Sequence, residues 1–170
     1  DAYRAAYREV NGEEAPKPIL AMFVAAHEDP AQAQEMRRTW LQAYARSTVA
    51  HYEFDRAEFA AIEGYEYYAG IARNIAKNGL ERFNGFLADL QVWGTPEAVV
   101  ARLIDRVDFL DVGGLLLLPC YGGMPPAVAR ANYDLVAERV LPALKAHDVG
   151  GDLGVRYGNT APAARAVAGA

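Results

Sequence analysis

The sequence predicts an α/β chain with parallel strands, and three observations carry that prediction. Two apolar runs, Ile19 to Ala26 and Leu115 to Cys120, are continuous rather than alternating, which suits strands covered on both faces. Stretches of helical periodicity lie between and after them. Asp29-Pro30 and Thr95-Pro96-Glu97 each follow a strand candidate at once. Both pairs start helices well, because the Asp or Thr oxygen accepts free amide hydrogens of the first turn and proline is preorganised at the first helical position.

Taken in order, Asp1 to Val10 reads as a helix stopped by Asn11-Gly12. Ile19 to Ala26 is the first strand. The helix from Pro30 to Tyr52 places Ala33, Met36, Trp40, Tyr44 and Ser47 on one face. Glu53 to Glu63 is polar with interspersed aromatics and no period, so helical turns and loop are expected there. Tyr68, Ile71, Ala72 and Ile75 mark a helix from Tyr65 to Asn78, and Arg82 to Phe86 a shorter one. Leu87 to Trp93 is a strand candidate of weaker hydrophobicity. Thr95 then caps a helix through Val99, Leu103, Ile104 and Val107 that ends near Asp111. Gly113-Gly114 introduces the leucine strand, and a last helix after Pro125-Pro126 turns Val128, Ala131, Leu135, Leu141 and Leu144 inward. About two dozen residues separate the second and third strands, the compact crossover of a parallel sheet. Residues 149–170 read as an extended Gly/Ala-rich tail.

Composition bounds the function. The chain has 170 residues, a formal charge of −5, 52% hydrophobic and 23% charged residues, which is the make-up of a folded domain and excludes general disorder. An acidic balance without clustered Lys or Arg speaks against nucleic acid as a partner, even with the Tyr65, Tyr67, Tyr68 cluster. The apolar runs are far shorter than the roughly 20 residues of a membrane helix, so no membrane partner is expected. A single cysteine, Cys120, makes neither an internal disulfide nor a Cys-based metal site, and a reducing, cytoplasmic setting follows as the expectation. Cys120 itself reads as a small buried hydrophobe rather than a nucleophile. The opening Asp1-Ala2-Tyr3-Arg4 reads as mid-helix without a secretory signal. Three strands cannot close a barrel of about 250 residues, so the alternatives are a small open sheet or part of something larger.

Gly94-Thr95-Pro96-Glu97 with its amphipathic helix, the Gly-introduced leucine strand, Tyr121-Gly122-Gly123-Met124-Pro125 and Val140-Leu141-Pro142-Ala143-Leu144 together resemble the bacterial luciferase-like flavin-dependent monooxygenases. Val24-Ala25-Ala26-His27-Glu28-Asp29 and the helix after it extend the resemblance upstream, with His27-Glu28-Asp29 where many members carry a Glu-Thr or Asp-Thr pair. The resemblance implies the C-terminal half of a (β/α)8 TIM-type barrel over residues 1–148, with strands six, seven and eight at Ile19 to Ala26, Leu90 to Trp93 and Leu115 to Pro119. Those strands are expected as parallel neighbours, with the helices from Pro30 and Pro96 both on the outer face. It also implies reduced FMN, or a deazaflavin in some branches, with molecular oxygen acting on a small organic substrate, and a separate flavin reductase. The family's catalytic histidine and most of its phosphate grip belong to strands one to five, so no catalytic residue carries over. The partner that follows is the missing N-terminal barrel half or a second copy of the chain, and the isolated chain is expected to be inactive. The alternative is a non-catalytic half-barrel, a flavin-binding or scaffold relative that pairs with a second chain.

The candidate cofactor or substrate-pocket residues are those at strand ends. Trp93 offers an aromatic wall for a flavin or an apolar substrate, or is a core tryptophan. Tyr121 offers a hydroxyl to either ligand. Gly122, with Gly123, gives backbone freedom for close approach to a ligand, or serves a turn that needs positive φ. His27 is a proton donor near neutral pH or a solvated loop residue. His51 and Asp55 have i, i+4 spacing but nothing completes a metal site, and His147 reads as a partner for a helix C-terminus. No nicotinamide or ATP signature is present. The connection from Glu53 to Phe86 is the natural place for a lid.

Overall fold

A computed structural model of the chain describes residues 2–147; the 149–170 tail lies outside them. The chain folds as α1 (Ala2–Asn11), β1 (Ile19–Ala26), α2 (Pro30–Met36), a π-helical turn (Arg37–Leu41) and α3 (Gln42–Tyr52). A 3-10 turn (Ala57–Ala61), α4 (Glu66–Asn78) and α5 (Leu80–Asp89) follow. Then come β2 (Val92–Gly94), α6 (Pro96–Leu110), β3 (Gly114–Leu118), α7 (Pro126–Leu135), a second π-helical turn (Val136–Val140) and α8 (Leu141–Lys145). Both anticipated caps form. The Asp29 carboxylate accepts from the Ala31 N–H at 2.8 Å, and the Thr95 hydroxyl accepts from the Ala98 N–H at 3.4 Å.

The mixed α/β class and the parallel pairing agree with expectation and are compatible with part of a (β/α)8 barrel. The strand order does not follow consecutive barrel order. It is β2-β1-β3, with Val24↔Val92 on one side of β1 and Ile19↔Gly114 on the other. β1 is eight residues long and wholly apolar, so the central position buries it best: Val24, Ala25 and Ala26 are 0–2% exposed. The second strand is also shorter than expected. Leu87 to Asp89 belong to α5, because Asn84 and Ala88 continue that helix's buried face.

The helices from Pro30 and Pro96 lie on opposite faces of the sheet, not on one. β1 turns Met22, Val24 and Ala26 toward Val99 and Leu103 of α6 and toward Val136 and Val140. It turns Ala25 and Phe23 toward Met36, Leu41, Ala45 and Ala88. Since both rows of β1 are apolar, each recruits its own helical layer.

The π-helical turn changes which residues of the long helix are buried. The Gln42 N–H reaches the Arg37 carbonyl five residues back, which inserts one residue into the 3.6-residue period. Beyond it Leu41, Ala45 and Val49 are buried, where the unbroken period predicted Trp40, Tyr44 and Ser47. The last helix repeats this: the Leu141 N–H reaches the Val136 carbonyl, and Asn132, Val136 and Val140 are buried while Ala131 is exposed. Among the described residues, no helix is long and apolar enough to cross a membrane.

Candidate functional site

Ligands of parallel α/β sheets gather beyond the carboxyl ends of the strands. Here that edge is built by one side chain from a distant helix. The β1–β3 ladder ends at Phe23↔Leu118, because Pro119 has no N–H to extend it. The Asn132 carboxamide from α7 takes over, accepting from the Ala26 N–H and donating to the Val24 and Pro119 carbonyls, each at 2.8 Å. Both amide hydrogens of Asn132 are thereby used.

Above Ala26 and Asn132 opens a cleft of about 590 Å³ between the start of the long helix and α7. Met36, Trp40, Val128 and Leu135 form its apolar walls, and His27, Glu28, Gln32, Glu35 and Thr39 its polar rim. The His27 N–H donates to the Gly94 carbonyl at 3.1 Å, which holds the β1 exit against β2. The His27 Nδ1 accepts from the Asp29 N–H at 3.0 Å, so in the neutral ring Nε2 carries the hydrogen. Glu28 pairs with Arg139 at 3.2 Å, and Arg139 also holds Glu97 at 3.0 Å. The Glu97 carboxyl lies below the usual carboxylate range, chiefly through its own backbone N–H and the Thr95 hydroxyl. Thr39 donates its hydroxyl to Glu35 at 3.0 Å. None of the lining residues is Lys or Arg. The arrangement therefore suits an uncharged or cationic apolar molecule and does not fit a phosphate.

Of the four sequence candidates, only His27 lines this cleft. Trp93 is half-buried in the apolar cluster around Ala25, with the Arg102 guanidinium 4.8 Å from its ring centroid and donating to the Trp93 carbonyl at 2.7 Å. Tyr121 lies in the same cluster, edge-on to Phe23 at 5.0 Å. Burial pushes its phenol well above the ordinary range, and its hydroxyl has no hydrogen-bond partner among the described residues. Gly122 does make a close approach, but to protein: with φ +61°, a Cβ there would stand 2.5 Å from the Trp40 carbonyl oxygen. Cys120, expected to be buried, is exposed, because β3 stops before it. His147 pairs with Asp108 at 2.8 Å.

Sequence reading missed Glu28, Gln32, Glu35, Thr39 and Asn132 as a group, since α2 and α7 meet only in the folded chain. A polar Asn at a helical position flanked by Val128 and Leu135 was the one local signal. The Glu53 to Phe86 connection carries a second cleft of about 790 Å³ walled by Phe54, Tyr67, Tyr68, Phe83 and Phe86, and it shares no residue with the first.

The family model for luciferase-like monooxygenases matches residues 1–111, a stretch that includes α1 through α6 and the Asp111 cap of α6. No curated protein matches the chain.

Proposed function

The chain belongs to the luciferase-like monooxygenase family, and from that premise we propose that it serves a flavin-dependent oxygenation of a small organic substrate. Reduced FMN from a separate reductase is the reductant on this reading, with a deazaflavin as the variant cofactor, and molecular oxygen is the oxidant. One oxygen atom goes to the substrate and the other to water. A cytoplasmic setting, where reduced flavin is regenerated, accords with the single free thiol.

The observation that carries the reading is the family match together with a cleft at the carboxyl end of β1. The cleft does not fit the flavin phosphate, since its lining holds Glu28 and Glu35 and no Lys or Arg. The share of these residues is therefore the substrate side. Met36, Trp40, Val128 and Leu135 desolvate an apolar substrate, which excludes water from its reacting end. His27 and Gln32 at the rim orient it. The remaining barrel strands, from another segment or another chain, hold the cofactor.

The test uses the protein purified from its native source with whatever chains accompany it. Reduced flavin and isotopically labelled dioxygen should place label in a small apolar substrate. A native preparation that binds no reduced flavin and transfers no label overturns the proposal.

One observation favours a second reading. The outer side of β3 pairs with no strand among the described residues, and Leu116 is 54% exposed, so this edge is open to another strand. On that reading the chain is a non-catalytic half-barrel that pairs with a second chain or a second copy. A stoichiometric complex that binds flavin yet transfers no label selects it.

A further inference from the structure

We propose that the cleft between α2 and α7 selects an apolar molecule carrying an ammonium head and rejects the corresponding carboxylate. The assignment deepens the substrate side of the function proposed above, and as a statement about the substrate it rests on that reading.

The apolar part of the argument is geometric. A volume of about 590 Å³ lies in the roughly 300–1,000 Å³ range of small-molecule sites. Trp40 and Met36 supply a broad, polarizable wall on one side, and Val128 and Leu135 the other.

The polar part follows from the rim's donors and charges: Gln32 and His27 offer N–H groups to a ligand of either head, so the glutamates decide between them. Thr39 spends its hydroxyl hydrogen on Glu35, and Asn132 spends both amide hydrogens on backbone carbonyls. The carboxylates at the rim are Glu28 and Glu35, of which Glu28 is shared with Arg139 while Glu35 faces only a neutral hydroxyl in its one described bond. Because the Thr39 hydrogen bond fills one acceptor position of a carboxylate that has about four, Glu35 keeps capacity for an N–H donor. An ammonium group there gains a charge-assisted hydrogen bond. A carboxylate meets repulsion from both glutamates with no Lys or Arg in the lining to offset it.

The probes are octylamine, octanol and octanoate, which share a tail and differ in head charge. The full chain carrying Trp93→Phe leaves Trp40 as its single tryptophan, and quenching of its fluorescence reports occupancy of this cleft. Calorimetry on the unmodified chain gives the same ranking independently of that substitution. Octylamine should bind about tenfold more tightly than octanoate at low salt, with octanol between them, and salt should shrink the gap. A Glu28→Gln, Glu35→Gln double variant should bring the two charged probes to within about twofold. Octanoate binding as well as octylamine, no binding of any probe, or a double variant that keeps the tenfold gap each overturn the proposal. The two readings also fail separately. Octylamine selected by the cleft, in a native protein that transfers no labelled oxygen, overturns the oxygenation and leaves the cleft's selectivity standing. Oxygenation without amine selectivity removes this proposal alone.

Discussion

Asn132 satisfies the backbone N–H of Ala26. Its side-chain oxygen sits 2.8 Å from the Ala26 amide nitrogen while its side-chain nitrogen donates to the Val24 carbonyl, so a carboxamide takes the place of the peptide that β3 cannot supply beyond Leu118. Asn132 is 1% exposed.

Asn132→Ala should therefore destabilise the chain by about 2–3 kcal/mol, since it leaves a buried N–H and two carbonyls short of partners. Urea unfolding measures this, with the midpoint falling and the slope unchanged. Asn132→Asp should cost more, because it removes both donors and brings a carboxylate up to two carbonyl oxygens.

Gly122→Ala and Gly123→Ala should differ sharply. Both glycines have positive φ, but a Cβ on Gly123 meets nothing within 4 Å while one on Gly122 strikes the Trp40 carbonyl. The Gly123 variant should lose about 1 kcal/mol from backbone strain alone. The Gly122 variant should lose clearly more and should weaken octylamine binding, since Trp40 must shift. Paired melting curves and fluorescence titrations check both halves.

Trp93→Ala should lower stability by about 1–3 kcal/mol and leave octylamine affinity within about twofold. Its ring packs in the cluster around Ala25 and under Arg102, outside the cleft. Melting temperature and calorimetric affinity, measured on the same preparation, separate the two effects.

Asp111 links stability to acid. Hydrogen bonds from Lys17 and Arg4 hold its carboxyl below the usual range. A carboxyl depressed on folding contributes stability that is present above its unfolded value, near 3.9, and is lost as pH falls through the lower folded value. Asp111→Asn should flatten the loss of stability below about pH 4. Asn tolerates the left-handed conformation that Asp111 adopts at φ 49°, so the substitution tests charge and not backbone. A pH series of denaturation midpoints for both proteins reads the difference.

The local chemistry of this chain was legible from residue order alone. Ile19 to Ala26 forms β1 end to end, Asp29 and Thr95 cap the helices they precede, and the leucine run forms β3, because each depends on neighbours within one or two turns. What folding decided was every relation that spans the chain. The central place of β1, the opposite faces taken by α2 and α6, and the π-helical turns that rotate Leu41 and Val140 inward all follow from which apolar surfaces find each other. The cleft is of that kind too: Glu35 and Asn132 stand almost a hundred positions apart in the sequence, and they meet where β3 stops at Leu118 and Asn132 takes the Ala26 N–H.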